Sequence, residues 1–422
     1  MGRARVLLSF VAIASSACGA HADPDCPASP VAVLSTARLE PPPSASASTS
    51  ASASATPPTP AAPMLPRAKL LWTDMFDGGD VRILTLGEDL AVVPLFLGVV
   101  IEGSRAAVLD PSGRPRWEQA FPAVGAAAVS ATPSGVLLAI GVDTLDWPKT
   151  TDAYGQTRLV RLSDKGSTAW RAPKATSLLD VSAVTDERTM LSVAVTGNPL
   201  PPVTGTPVET YFVMALARDR IVWQTPLKGP ARVFTSAAGD VLAAVAKDRD
   251  SVADSLTMLS DKGATKWSLA VPEDCRFGGA AFTPSGRLFI ITSASCEAPS
   301  WQPLESALGG CRVTELAVST GKALQSALVE GCLLRADDKS VGVMDTDVGA
   351  VTLYDLSLKA TAVVEPRRSY CLEQPWLEFA LAPESVYIEG TCVGARIGTM
   401  VNSPYSRAYD RSTTYLVRYE RP

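Results

Sequence analysis

Residues 159–170 read Leu-Val-Arg-Leu-Ser-Asp-Lys-Gly-Ser-Thr-Ala-Trp, and variants of this stretch recur along most of the chain. The pattern predicts a β-hairpin, with a short apolar strand, a tight turn that ends in glycine, and a return strand that carries a tryptophan. Residues 256–267 repeat Ser-Asp-Lys-Gly with the tryptophan again four residues after the glycine, and residues 107–117 keep the glycine and the tryptophan. In residues 212–223, Asp219 takes the place of the glycine, which aspartate tolerates in a left-handed turn. Weaker copies without the tryptophan are residues 313–322 and 351–356.

A second kind of hairpin lies between these copies. Residues 126–140 and 277–291 are two apolar strands joined by Thr-Pro-Ser-Gly, in which proline presets φ and glycine accepts a positive φ. Looser versions are residues 84–97, 181–195, 233–245, 333–344 and 377–388. The two hairpins alternate, which predicts four strands per unit. Trp117, Trp170, Trp223 and Trp267 are 53, 53 and 44 residues apart, a spacing typical of propeller blades.

The number of units predicts how the ring closes. Six units are complete, and the last, which ends near residue 419, lacks its outer strand. Residues 70–76 supply a matching strand with a tryptophan, Trp72, in the expected place. We therefore predict an all-β fold over residues 68–422: a seven-bladed β-propeller of four-stranded blades in which N- and C-terminal strands share one blade. Six or eight blades and a two-sheet sandwich are the alternatives, but a sandwich does not need Trp72.

The Gly-x-x-x-Trp spacing after a strand resembles the PQQ-like repeat of quinoprotein-type β-propellers. That family includes dehydrogenases and non-enzymatic bacterial lipoproteins of the outer membrane. The resemblance covers about residues 70–421 and consists of short motifs, so it implies an architecture rather than an activity. The adjacent cysteine pair of many quinone-dependent dehydrogenases is missing here. We therefore expect the non-enzymatic lipoprotein branch of the family and no cofactor.

Residues 1–22 have the layout of a secretory signal, with Arg3 and Arg5 before an apolar run and small residues after it. Ser15-Ser16-Ala17-Cys18 resembles a lipobox with Ser15 where leucine is usual, and would place a lipid on Cys18. Ala20-His21-Ala22 instead fits ordinary cleavage after Ala22. Residues 23–67 are mostly Ala, Ser, Thr and Pro, which predicts a disordered tether. We expect an exported envelope lipoprotein of the outer membrane or periplasm, with a secreted protein as the alternative.

Six of the eight cysteines form three pairs, each 21 residues apart. The pairs are Cys275/Cys296, Cys311/Cys332 and Cys371/Cys392, and the first two bracket a hairpin turn symmetrically. We predict three disulfides, although six cysteines allow 15 connectivities and Cys296 with Cys311 is a competing pair. A zinc site is the other alternative. The absence of a CxxC motif and the expected oxidising compartment argue against it.

The composition excludes several kinds of site. The net charge is −5 and the sequence has no basic runs, so we expect no binding to nucleic acid and no direct adhesion to anionic lipid. His21 is the only histidine, so the folded domain has no Ser-His-Asp or Cys-His catalysis and no histidine-bound metal. Asp345 with Asp347, and Asp248 with Asp250 and Asp254, resemble calcium loops but lack the full set of ligands. We expect no catalytic residue and no metal.

Binding is expected on the long loops between the second and third strands of the blades, because loops on a rigid scaffold commonly carry function. These loops hold five aromatic residues, the candidate binding face: Trp147, Tyr154, Trp301, Tyr405 and Tyr409. The hypothesis is a monomeric binding or scaffold module for a protein or surface polymer, attached to a membrane only through its lipid. One alternative is a glycan hydrolase or lyase that uses two carboxylates across the central channel. A structural envelope protein is the other.

Overall fold

The computed structural model describes residues 70–77, 81–94, 104–121, 128–141, 157–171, 176–196, 209–218, 220–248, 251–272, 275–293, 296–297, 302–303, 310–346, 348–366, 376–393 and 412–421. The chain divides into two units, residues 1–61 and 62–422, and all of the described residues lie in the second. The predicted signal and tether therefore lie outside the described residues.

The second unit consists of seven antiparallel four-stranded sheets, the blades. The first strand of the chain is β1 (Leu70–Asp77). Blade 1 contains β2 (Val81–Leu86), β3 (Asp89–Pro94), β4 (Ser104–Leu109) and β5 (Pro115–Phe121). Blade 2 contains β6 (Ala128–Thr132), β7 (Gly135–Gly141), β8 (Thr157–Ser163) and β9 (Gly166–Arg171). Blade 3 contains β10 (Thr176–Ala183), β11 (Arg188–Thr196), β12 (Glu209–Ala217) and β13 (Arg220–Leu227).

The remaining blades follow the same order. Blade 4 contains β14 (Ala231–Thr235), β15 (Val241–Ala246), β16 (Ala253–Leu259) and β17 (Thr265–Ala270). Blade 5 contains β18 (Phe277–Phe282), β19 (Leu288–Ser293), β22 (Cys311–Leu316) and β23 (Ala323–Val329), and a small hairpin, β20 (Cys296–Glu297) and β21 (Gln302–Pro303), precedes β22. Blade 6 contains β24 (Leu333–Ala336), β25 (Val341–Met344), β26 (Val351–Tyr354) and β27 (Ala360–Val364). Blade 7 contains β28 (Trp376–Ala382), β29 (Ser385–Val393) and β30 (Ser412–Glu420).

Blade 7 is completed by the first strand of the chain. β1 pairs with β30 in antiparallel register, so the sheet order is β1-β30-β29-β28. The first strands of neighbouring blades contact one another all the way round, including β2 of blade 1 with β28 of blade 7. The predicted all-β, seven-bladed propeller and its shared closing blade are confirmed.

The core lies between blades rather than inside one layer. Among the described residues, buried apolar side chains form seven clusters, one for each pair of neighbouring blades. In β7, Val136 and Leu138 pack towards blade 1, whereas Leu137 and Ala139 pack towards blade 3. Both faces of the second strand are buried, which explains its continuous apolar sequence despite the period-two alternation of side chains.

The repeated tryptophan connects one blade to the next. Trp223 in blade 3 donates from Nε1 to the backbone oxygen of Asp261 in blade 4 at 2.7 Å, and its ring covers Gly263. Trp267 in blade 4 donates to the backbone oxygen of Val318 in blade 5 at 2.8 Å and covers Gly321. The predicted packing role is confirmed for four tryptophans, Trp117, Trp170, Trp223 and Trp267, and the side chain of Trp72 lies outside the described residues.

One predicted disulfide is confirmed. Cys311, at the start of β22, is bonded to Cys332, just after β23, with their Cα atoms 5.4 Å apart. Cys275 is also in a disulfide. The side chains of Cys296, Cys371 and Cys392 lie outside the described residues, so the other two pairings stay predictions.

Two further observations concern the backbone. In the turn between β12 and β13, the residue with a positive φ is Arg218, at 55°, and Asp219 lies outside the described residues. Within the described part of the chain, no helix is long and apolar enough to span a membrane.

Candidate functional site

Five charged side chains occur in the first strands of blades 1, 3, 4, 6 and 7. First strands surround the central channel of a propeller, so their charges interact across the ring. The five residues, which we call the channel cluster, are Arg82, Asp180, Arg232, Arg335 and Glu378. The electrostatic influence of Arg82 and Arg335 reaches Arg232, and that of Arg82 reaches Asp180, which places these groups near one another. The cluster has three cations and two anions.

Glu378 is the most enclosed member of the channel cluster, with a side chain 5% exposed. Its Oε1 accepts a hydrogen bond from Arg82 Nη1 at 2.7 Å and a second from Arg335 Nη2. Its Oε2 accepts the backbone N–H of Ile83 at 3.0 Å. One carboxylate of blade 7 therefore holds blades 1 and 6 through charge-assisted bonds.

Asp180 links blade 3 to blade 4. Its Oδ1 accepts the backbone N–H of Val181 at 2.9 Å, and its Oδ2 accepts that of Val233 at 2.8 Å. Burial raises the pKa of Asp180, and these backbone bonds and the positive charges of Arg232 and Arg82 oppose the shift. Both oxygens accept hydrogen bonds from backbone N–H groups, so this carboxyl group connects the first strands of blades 3 and 4.

Arg232 differs from the other two arginines of the channel cluster. Among the described residues its one hydrogen-bond partner is the backbone oxygen of Gly278, 3.4 Å from Nη1, and its guanidinium lies 5.4 Å from the centre of the Phe234 ring. No described carboxylate lies within hydrogen-bonding distance of it. Desolvation by the surrounding protein lowers the pKa of Arg232, Asp180 opposes this shift, and the group stays protonated at neutral pH. The side chain of Arg232 is exposed to solvent.

A cleft of about 350 Å³ opens beside Arg232. Most of its wall is apolar, and its polar lining is Arg232, Asp248 and Ser251. The apolar lining residues are Leu179, Pro230, Ala231, Ala244, Ala246, Val252, Ala253 and Phe277. Ser251 Oγ donates to Asp248 Oδ1 at 2.6 Å. An apolar pocket with one available cation suits a ligand that joins a carboxylate to an apolar body.

The predicted binding face consists of five aromatic residues. Trp147, Tyr154, Trp301, Tyr405 and Tyr409 all lie outside the described residues. The strands that flank their loops are the second and third strands of blades 2, 5 and 7, as the sequence predicted. The cleft includes residues of the corresponding connection in blade 4, Asp248, Ser251 and Val252.

The acidic segments considered as calcium loops do not form a metal site among the described residues, where no three His, Cys, Asp or Glu side chains are grouped suitably. Asp254 Oδ1 accepts a hydrogen bond from Ser255 Oγ at 2.9 Å, as expected of a solvated turn. Asp250 and Asp347 lie outside the described residues.

Sequence reasoning missed the channel cluster. A signal was present, because Arg82, Asp180 and Glu378 each interrupt an apolar first strand. A charged side chain is unexpected in a strand that is buried on both faces. In a propeller, a charge within an apolar first strand therefore indicates the central channel. The sequence could not show which of these charges neutralise each other.

The sequence matches no protein-family profile, and no curated protein matches it. Solved β-propeller structures are similar to the chain. The C-terminal WD40 domain of Sif2 matches with a TM-score of 0.44 and 11% identity, covering 82% of this chain and 81% of that chain. The Neurospora crassa Pan2 WD40 domain gives 0.47 and 10%, covering 80% and 87%, and YCF48 bound to D1 peptide gives 0.47 and 10%, covering 84% and 99%. At these identities the similarity concerns the fold alone.

Proposed function

We propose that this protein is an exported, non-enzymatic binding module that holds an acidic, partly apolar segment of a partner protein in the cleft beside Arg232. The observation that carries the proposal is a charged guanidinium at an apolar cleft with no described carboxylate bonded to it. An acidic side chain or a terminal carboxylate of the partner would complete its hydrogen bonds, and the apolar wall would contact neighbouring residues.

Binding is favoured over carboxylate catalysis by the state of the two channel carboxylates. Glu378 accepts hydrogen bonds from two arginines and one backbone N–H, and Asp180 accepts hydrogen bonds from two backbone N–H groups. A glycan hydrolase needs one carboxyl group free to donate a proton and another free to attack or to activate water. The absence of histidine after residue 21 argues separately against histidine-dependent hydrolysis.

In this proposal, the tether attaches the binding module to a membrane. A lipid on Cys18 and the stretch of residues 23–67 would hold the propeller at a distance from a bacterial membrane, as in the non-enzymatic lipoprotein branch of the PQQ-like family that the repeat resembles. The intact mass of membrane-extracted protein tests this part. We expect an acylated Cys18, and an unmodified mass beginning at Asp23 would contradict the anchor while leaving the binding proposal intact.

Capture from an envelope extract of the producing bacterium tests the binding proposal. The mature protein is compared with Arg232→Glu, which reverses the charge at the cleft, and with Arg220→Glu, which makes the same change on the exposed outer strand of blade 3. Quantitative mass spectrometry should find a protein retained by the wild type and Arg220→Glu and reduced at least ~10-fold by Arg232→Glu, the size of one lost charged contact.

Melting temperatures and a comparison of the captured proteins decide the outcome of this experiment. Equal melting temperatures of the three proteins exclude unfolding as the cause of a lost partner. If the captured proteins are the same for all three variants, or if nothing is captured, the cleft beside Arg232 is not the binding site.

A further inference from the structure

Within the described part of the chain, the outer strand of each blade has one backbone edge that pairs with no other strand, and most of these strands carry features that discourage pairing with another chain. Charged residues or prolines occur in five of the seven: Arg116 and Pro115 in β5, Arg171 in β9, Arg220 and Pro226 in β13, Lys266 in β17, and Asp74 and Asp77 in β1. β27 is uncharged, but its exposed side chain is Thr361. β23, with the sequence Ala-Leu-Gln-Ser-Ala-Leu-Val, has neither protection.

β23 also exposes large apolar side chains. Leu324 and Leu328 are each 61% exposed, the highest fraction among the large apolar residues of the described chain. Ser326 lies between them on the same exposed face. The opposite face is turned towards blade 6, where Gln325 Nε2 donates to the backbone oxygen of Leu356 at 2.7 Å. The exposed leucines therefore have no packing role within this propeller.

The order of residues in β23 is self-complementary. When two copies run antiparallel about Ser326, Leu324 of each faces Leu328 of the other, and Gln325 faces Ala327. The strand itself carries no charge, and Arg312 of the neighbouring β22 donates from Nη1 to Ser326 Oγ at 3.3 Å. Cross-strand apolar pairs of this kind stabilise antiparallel sheets. A two-fold arrangement needs this property, because each copy contributes the same surface.

We propose that β23 is a dimerisation edge, which pairs with β23 of a second copy about a two-fold axis through Ser326 and joins two fifth blades into one eight-stranded sheet. The surface covered by one strand pair is smaller than the roughly 1,200 Å² of stable complexes, so we expect a reversible dimer with a dissociation constant on the order of 10–100 µM. Attachment to a membrane would raise the effective concentration of the copies. This inference does not depend on the cleft beside Arg232.

Sedimentation of the mature full-length protein between roughly 1 and 500 µM, a range chosen to span that affinity, tests the proposal. The wild type should shift from monomer to dimer, and Leu324→Lys and Leu328→Lys should each weaken the association at least ~10-fold, because like charges approach and apolar cover is lost. Ile221→Lys is the matched control, since Ile221 is 41% exposed on the outer strand of blade 3. It should dimerise like the wild type.

A single cysteine tests the register. Facing residues at the two-fold axis have Cα atoms about 4.5–5.5 Å apart, within the range of a disulfide. Ser326→Cys should therefore give a covalent dimer on oxidation, identified as a peptide linked through residue 326, whereas Ser268→Cys on the exposed outer strand of blade 4 should not.

Three results would overturn the proposal: a wild type that is monomeric over the whole range, a dimer unaffected by both lysine variants, or equal cross-linking of the two cysteine variants. Cross-linking of Ser326→Cys to a different protein in an envelope extract, with no self-linked product, would assign the edge to another partner and also refute it.

Discussion

At the scale of single residues, the glycine of the repeated turn has two functions. Gly263 has a φ of 81°, which favours glycine, and a Cβ atom built on it would lie 2.6 Å from Cε3 of Trp223. Gly166, in the same Ser-Asp-Lys-Gly motif of blade 2, has a φ of 109° but nothing within 4 Å of such an atom. Both glycines adopt a positive φ, but only Gly263 lies against a side chain of a neighbouring blade.

Gly263→Ala should therefore destabilise the protein more than Gly166→Ala. Backbone strain costs about 1–2 kcal/mol at either position, and the clash with Trp223 should add about 1–3 kcal/mol at position 263 only. Urea unfolding of both variants measures the difference. Equal losses would mean that the tryptophan ring moves aside without cost.

Glu315 forms an ion pair with Arg287 on the face of the propeller that carries the Thr-Pro-Ser-Gly turns. Arg287 donates from Nε and Nη2 to its two oxygens, each at 2.8 Å, and Nη2 also reaches the backbone oxygen of Leu356 in blade 6. These Arg287 hydrogen bonds lower the pKa of Glu315, and burial opposes the shift. A carboxyl group with a lowered folded pKa stabilises the fold above its unfolded value, and this contribution is lost as the pH falls through the folded value.

Glu315→Gln should reduce stability at pH 7 and flatten the loss of stability as the pH falls below the ordinary value of 4.5. Glu384→Gln is the control, because the pair of Glu384 with Lys339 is exposed, with side-chain exposures of 71% and 56%, and is screened by water. Thermal unfolding at several pH values between about 3 and 7 compares them. The same slope in both variants would contradict the role given to Glu315.

At the scale of elements, the first strands of neighbouring blades are joined by side chains that bond to the next strand. Asp180 accepts the N–H of Val233 at 2.8 Å, and Ser130 in blade 2 accepts that of Ala183 in blade 3 at 2.8 Å. First strands of different blades do not form a common sheet, so these bonds supply the connections that a sheet ladder would otherwise provide.

Asp180→Ala should lower the free energy of unfolding by about 1–3 kcal/mol, because the buried N–H of Val233 loses its partner. Asp180→Asn keeps one oxygen for the N–H of Val233 but loses the acceptor for the N–H of Val181, and it removes a carboxylate that burial disfavours. Since a raised folded pKa costs stability once the pH exceeds the unfolded value of 3.8, removal of the charge offsets part of the lost hydrogen bond, and Asn should lose less stability than Ala at pH 7. Denaturant unfolding at pH 7 decides this, and a loss for Asn as large as that for Ala would refute it.

At the scale of the whole molecule, the ring is held closed by β1 as well as by the channel cluster. β1 forms the outer strand of blade 7 from the opposite end of the chain. Glu378 fixes blade 7 to blade 1, and Tyr387 of blade 7 donates its hydroxyl to the backbone oxygen of Glu88 at 2.9 Å. Separation of the two ends would therefore open one blade and the adjoining interface.

A protein that begins at residue 70 should melt like the full chain, whereas one that begins at residue 78 should lose about 10 °C or more, since a missing strand costs several kcal/mol. The exposed edge of β30 should also promote association of the shorter protein. Calorimetry and light scattering measure both effects. Identical melting of the two truncated proteins would show that β1 contributes little to closure.

The sequence by itself predicted the alternation of hairpins, the closing strand and seven blades, and it favoured the disulfide of Cys311 with Cys332 over the competing pair of Cys296 with Cys311. These features follow from local chemistry: turns need glycine and proline at fixed places, strands alternate with period two, and repeats reveal a missing member. Repetition made the prediction strong, because each unit supported the others.

Only the tertiary structure decided which charges meet. Arg82, Arg335 and Glu378 come from three different blades and are separated by up to 296 positions in the chain, so no local pattern could pair them. Arg232 became a candidate because no described carboxylate is hydrogen-bonded to it, a property of the space around it and not of its sequence neighbours. The fold is encoded in short repeated segments, whereas the site arises where the ring brings distant segments together.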